Sequence, residues 1–191
     1  MIYIEFIERD RFMPIEIFHH LGRQSSDWAD GAADKLVLQI GRTLRLGPMP
    51  SYLVFWEIDD IGRLDEWETY FGSTEARTNR RSQAMHRAMH IQRAGLYDTL
   101  FASKSTNFPL YYLEFYRELD IGPEDELPPG FTREGLVFIL RRVGWLGPEA
   151  KALSVWGCNS YRAVERLSRR SIEGALPMDA GVYKDMGTET L

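Results

Sequence analysis

Hydrophobic and polar positions alternate along several short stretches of this chain, and helical spacing takes over between them. IYIEFIER, starting at Ile2, alternates and is rich in β-branched and aromatic residues, which predicts a strand. PIEIFHHLGRQ follows with helical spacing, its Pro14 suited to the first helical position. LVLQIGRTLRLGPMPSYLVFW, from Leu36, reads as two strands joined by a turn at Gly47-Pro48, a β-hairpin that ends at Trp56. RLDEWETYF then predicts a helix, and AGLYDTLF closes the unit as a strand.

That phrase has an echo. LVFILRRVGWLGPEAKALSVW begins at Leu136, an offset of 100, and Leu36, Val37, Arg42, Leu46, Gly47, Pro48, Leu53 and Trp56 all find an identical residue there. Eight identities in 21 positions far exceed the roughly one expected at average residue frequencies. IYIEF is answered by YYLEF at Tyr111, AGLYD at Ala94 by AGVYK at Ala180, and the helical RLDEWETYF by RAVERLSRR. The order β-α-β-β-α-β therefore occurs twice, and it is that of a ferredoxin-like split unit. The expected fold is α+β, with one repeat over residues 1–104 and the other over 105–191. Such a unit covers one sheet face with helices and leaves the other bare, so two copies can bury their bare faces against each other. The second crossover is shorter, 20 residues between Phe115 and Leu136 against 29 between Phe6 and Leu36. Pro128, Pro129 and Gly130 inside GPEDELPPGFTREG rule out a full helix there and predict a covering loop.

Strand order, the closing Trp56 and the helix after it in VFWEIDDIGRLDEWE resemble the dimeric α+β barrel superfamily in tandem-fused form, NIPSNAP-like in its hairpin. The resemblance implies a sheet-to-sheet pseudo-dimer enclosing a cavity. That superfamily holds cofactor-free monooxygenases, decarboxylases, isomerases and haem enzymes, so it does not select an activity. Its haem members carry a histidine ligand in the C-terminal portion, and this chain has no histidine after His90.

Composition narrows the classes. A net charge of -5 argues against nucleic acid or an anionic membrane as partner. The opening MIYIEFIERD has no basic n-region, no apolar run is long enough to span a bilayer, and the single Cys158 can form no internal disulfide; a cytoplasmic protein is expected. No phosphate loop, dinucleotide fingerprint or nucleophile elbow is present, and no cofactor is expected.

In the barrel reading, alternation places Ile2, Ile4 and Phe6, with Tyr111, Leu113 and Phe115, against helices. Tyr3 and Glu5, with Tyr112, Glu114 and Tyr116, would then look into a shared cavity. A carboxylate there either acquires a raised pKa, making Glu5 or Glu114 a general base, or is neutralised by Arg42 or Arg142. Trp56, Tyr3, Tyr112, Tyr116, Arg42 and Arg142 are candidate contacts to a substrate. His86 and His90, four apart in SQAMHRAMHIQR, would share a helix face; His86 is a candidate acid or base, and the pair could bind a metal. Arg169 and Arg170 read as a solvated helix face. The expected function is cofactor-independent acid/base catalysis on a small apolar or aromatic molecule in the barrel, by a lyase, isomerase or oxygenase. The alternatives are a non-catalytic binding or interaction protein and a metal protein, and in each reading the chain could pair as a homodimer.

Overall fold

The alternating stretches all become strands. A computed structural model describes residues 1–9, 35–44, 46, 51–74, 78, 83–84, 89–120, 127 and 130–186. Within them run β1 (Ile2–Arg9), β2 (Lys35–Arg42), β3 (Tyr52–Glu57), α1 (Gly62–Gly72), β4 (Met89–Ala102), β5 (Leu110–Leu119), β6 (Leu136–Arg142), β7 (Ala152–Cys158), α2 (Tyr161–Ser168) and β8 (Ala175–Asp185). The helix expected at PIEIFHHLGRQ, the turn at Gly47-Pro48, His19, His20, His86, Arg80, Arg81 and most of the loop before Gly130 lie outside the described residues.

The protein is α+β, with eight antiparallel strands in the closed order β1-β3-β2-β8-β5-β7-β6-β4. Strands β1 to β4 lie side by side as β4-β1-β3-β2, and β5 to β8 as β8-β5-β7-β6. Two seams join them. Ile40 to Arg42 of β2 pair with Asp185 to Tyr183 of β8, and Tyr97 to Ala102 of β4 pair with Arg142 to Phe138 of β6. The hydrogen bonds beyond the two seams repeat. Thr43 N donates to Val182 O at 2.9 Å and Val182 N to Leu46 O at 3.0 Å; Val143 N donates to Leu96 O at 2.8 Å and Leu96 N to Leu146 O at 2.9 Å. The register shifts of the two hairpins also coincide, between Leu36 and Leu38 in one and between Leu136 and Phe138 in the other. Leu44 and Gly144 occupy matching turn positions, each with φ 51°.

The two faces of the sheet are opposite to the expected ones. Ile2, Ile4 and Phe6 belong to one buried cluster with Leu113, Phe115, Leu38, Phe55, Val137, Phe138 and Leu153, drawn from both halves of the chain. Phe6 meets Phe115 at 6.4 Å between ring centroids, and Phe55 stacks on Phe138 at 6.2 Å. This apolar face, not the one bearing Glu5 and Glu114, fills the barrel. An eight-stranded barrel is only wide enough for side chains to fill it, so its interior selects residues with no polar demand. The helices cover the other face. Leu64 and Trp67 of α1 pack with Tyr3, Val54, Trp56 and Ile58, whereas Val164 of α2 packs with Tyr112, Tyr116, Ile139 and Trp156.

Three tyrosines break the apolar rule, and one of them, Tyr111, satisfies its hydroxyl by donating to Thr106 O. Tyr97 and Tyr183 are fully buried in the interior cluster, and neither hydroxyl has a hydrogen-bond partner among the described residues. Each ring folds back over the glycine two residues before it: a Cβ on Gly95 would lie 2.7 Å from Tyr97 Cε2, and one on Gly181 2.7 Å from Tyr183 Cε2. The repeated Ala-Gly-x-Tyr segments are thus packing units in which a missing side chain makes room for a ring. Burial pushes both phenols well above their ordinary range, so they stay protonated. Gly181→Ala is expected to cost about 1–3 kcal/mol in urea unfolding, from overpacking. Tyr183→Phe, which removes only an unpaired hydroxyl, should leave stability unchanged or raise it. A clear loss in the phenylalanine variant would mean that the hydroxyl has an acceptor.

Candidate functional site: two carboxylates beneath two helices

The structure separates the residues expected to share one cavity. Glu5 lies on β1 between Val54 of β3 and Ala94 of β4, on the face that α1 covers. α1 starts where Asp60 Oδ1 accepts from Gly62 N at 2.6 Å, and it turns Leu64 and Trp67 toward the sheet. Trp67 meets Tyr3 edge-on at 5.3 Å and Trp56 at 5.8 Å. Trp56 Nε1 donates to Glu5 Oε2 at 3.1 Å, and no other side chain among the described residues hydrogen-bonds this carboxyl. Glu5 keeps a partly exposed edge, but protein atoms surround its carboxyl and deprive the charge of solvent. Desolvation pushes its pKa up to about 7, against the smaller lowering effect of the Trp56 hydrogen bond. Beside it burial, then the charge of Glu5, pushes the Tyr3 phenol up to about 12.

Glu114 occupies the matching place on β5, beneath α2, in different company. Its Oε1 accepts from the Tyr112 hydroxyl at 2.9 Å; its Oε2 accepts from the Tyr116 hydroxyl and from Arg170 Nη2, the latter at 2.9 Å. Tyr116 spends its one proton on Glu114, so Ser154 Oγ, 2.9 Å away, donates to the phenol oxygen. Arg170 and Glu114 keep only 14% and 11% of their side-chain surface, which makes this a buried ion pair. α2 begins at Ser160, whose side chain accepts from Ala163 N at 3.3 Å, and ends at Ser168. The chain then turns back, carrying Arg170 onto the sheet, while Arg169 stays outside and pairs with Glu165 at 2.6 Å. The Arg170 guanidinium sits 3.5 Å from the Trp156 ring centroid and 5.6 Å from that of Phe131. Its Nε and Nη1, and the Trp156 Nε1, are buried without partners among the described residues. A buried donor left unpaired costs about 1–3 kcal/mol. Burial, with Glu114 beside them, drives the Tyr112 and Tyr116 phenols far up, so both remain donors.

Several sequence expectations are corrected by this geometry. Glu5 and Glu114 do not face one interior, and Tyr3, Tyr112 and Tyr116 lie with them under separate helices. Arg42 and Arg142 neutralise neither carboxylate. Arg142 clamps its own hairpin, Nε donating to Gly144 O at 3.1 Å and Nη1 to Pro148 O, with Trp145 5.6 Å away. Arg42 reaches Ser51 Oγ at 3.5 Å, at the base of the other hairpin. His90 lies in β4 opposite Glu8, so it shares no helix face with His86. Among the described residues no group of three or more histidine, cysteine or acidic side chains could hold a metal, and no helix is long and apolar enough to cross a membrane. Arg169 is solvated as expected, but Arg170, read as part of the same solvated face, is buried against Glu114; its position just past a helix carries no signal of burial. Trp67 had one, its spacing from Leu64 on α1. Comparison with protein-family models, curated proteins and solved structures gave no match to this chain.

Removing one partner of a buried pair strands the other charge. Arg170→Met is expected to lower stability by roughly 3–5 kcal/mol, and adding Glu114→Gln to recover a large part of it, read from urea midpoints. If the double variant is no more stable than the single one, the arginine contributes through packing on Trp156 and not through charge.

Proposed function

We propose that this protein is a cofactor-independent enzyme with one active site, on the outer face of β1 and β3 beneath α1, where Glu5 transfers a proton to and from a small apolar or aromatic substrate. One observation carries the reading: of two equivalent carboxyls, Glu114 is neutralised by an arginine and two phenols, whereas Glu5 has a single indole donor and a pKa of about 7. A catalytic residue is needed once, and a general base works best with its pKa near the operating pH. Trp56 fixes the orientation of the carboxyl by holding Oε2. Tyr3 keeps its proton, and that O–H can donate to a substrate oxygen as charge builds there. Trp56 and Trp67 supply flat apolar contact for an aromatic ring.

In this reading the substrate gives a proton from carbon to Glu5, and the carboxylic acid returns it at another atom or to a leaving group. That cycle serves an isomerase or a lyase, and a carbanion formed in this way also serves an oxygenase supplied with dioxygen. The matching strand orders of the two halves and the matched hydrogen bonds beyond the seams support placing the chain with tandem dimeric α+β barrels, as a sheet-to-sheet pseudo-dimer of duplicated units. A second reading, a binding or interaction module without catalysis, is favoured by the apolar side chains that occupy the barrel interior.

Glu5→Gln separates the two. For the enzyme, turnover falls at least ~100-fold, within the usual contribution of a general base, while the fold and ligand binding survive. Full activity in this variant sinks the proposal; binding with no turnover in the parent protein supports the module. The pKa predicts a second, substrate-free readout. An acid whose folded pKa rises from 4.5 to about 7 binds more protons folded than unfolded between those values. Its contribution to stability is therefore complete below pH ~4.5 and is lost as pH rises through ~7. Glu5→Gln should flatten the stability curve in that window, and an unaltered slope would place the Glu5 pKa near its ordinary value.

A further inference from the structure

The donors left over beneath α2 define a second site, independent of the Glu5 reading. A guanidinium carries five N–H bonds. Among the described residues Glu114 engages Nη2 of Arg170, at 2.9 Å, and Nε and Nη1 remain buried with no acceptor. The same guanidinium lies 3.5 Å from the Trp156 ring centroid, and the indole N–H of that ring system is also buried and unpartnered. Unused donors from two side chains therefore crowd into one small volume. The neighbouring acceptors already serve other donors: Glu114 receives Tyr112, Tyr116 and Arg170, and the Tyr116 oxygen receives Ser154.

These facts specify the chemistry of an occupant. It must accept hydrogen bonds, since the surrounding unpaired groups all donate. It should be neutral, because Arg170 and Glu114 already cancel and a carboxylate would bring an uncompensated charge into a buried place. Its remainder should be apolar, because Phe131, Val164 and Cys158 share this cluster, and burial pushes the Cys158 thiol up to about 11, leaving it uncharged. We infer that the face beneath α2 binds a neutral carbonyl compound with an apolar body, such as a ketone, ester or quinone, whose oxygen accepts from Arg170 and Trp156. Glu114, with its two tyrosines, is a positioning residue here: it holds the guanidinium over the indole, 3.5 Å from the ring centroid, and leaves the other N–H bonds to the guest.

The test uses the full chain and three probes of similar shape: acetophenone, benzoate and ethylbenzene. Titration followed by 15N-resolved indole signals should show acetophenone shifting the Trp156 N–H resonance, at an affinity at least ~10-fold above those of the other two, because a site built to donate rejects a ligand lacking the acceptor. Trp156→Phe, which keeps a ring and deletes the N–H, should weaken acetophenone about fivefold, the loss of one hydrogen bond. Glu5→Gln should leave that affinity unchanged. Should the phenylalanine variant fail to fold, the indole shift in the parent protein decides alone. Equal affinity for all three probes, preference for benzoate, loss of binding in Glu5→Gln, or an unmoved Trp156 signal with only ordered water on Arg170 would each overturn the inference. A silent Glu5→Gln effect on turnover would sink the catalytic proposal and leave this one standing.

Discussion

Closure of the sheet is the constraint from which the other features follow. Eight antiparallel strands close on themselves, so each has a hydrogen-bonded neighbour on both sides over at least part of its length. The space they enclose accommodates side chains and little else. The interior therefore takes the apolar member of each alternating pair, Ile4 where the other is Glu5 and Leu113 where the other is Glu114. Polar chemistry is displaced to the outer face, where a helix can cover it and hydrogen-bonding side chains can reach it. The barrel is a scaffold for two separate outer faces, each with a glutamate at the same place on its first strand.

Those two faces show how surroundings set the behaviour of one residue type. Beneath α2 three donors converge on Glu114, and the arginine lies over the Trp156 ring, 3.5 Å from its centroid, with that of Phe131 5.6 Å away. Beneath α1 the glutamate has one indole N–H and no arginine among the described residues, and desolvation goes largely unopposed. The tryptophans differ in step: Trp56 gives its N–H to a carboxylate, whereas Trp156 lies under a guanidinium and keeps its N–H unspent. Sequence divergence at a few positions, chiefly Ile7 against Tyr116, has moved the two faces apart chemically while the strands beneath them stayed alike.

Much of the framework was legible in the sequence, because the repeated phrase records backbone demands. β2 with β3 and β6 with β7 pair with the same register shift, and the Ala-Gly-x-Tyr segments mark where a ring lies over its own strand. The orientation of the faces was not legible. Both faces of a strand in a covered barrel are buried, so alternation shows that Ile4 and Glu5 point apart without saying which one points in. The arginines misled for a related reason. Arg42 and Arg142 are repeated because each serves its hairpin, a short-range role, whereas the arginine that meets Glu114 arrives from 56 residues away through a turn after α2. The helix expected to carry both His86 and His90 does not include His90, because β4 extends along β1 as far as Met89.

The two seams are alike in pattern but unequal in length. β4 and β6 are paired from Tyr97 to Ala102, while among the described residues β2 and β8 pair from Ile40 to Arg42, with one further bond from Met186 N to Gln39 O at 3.0 Å. A ring held by two clasps of different strength has a preferred place to come undone. Transient opening should begin where the final strand meets the second, letting solvent reach the amides there while the opposite clasp stays shut. The barrel would then unroll as one curved sheet instead of parting into two halves.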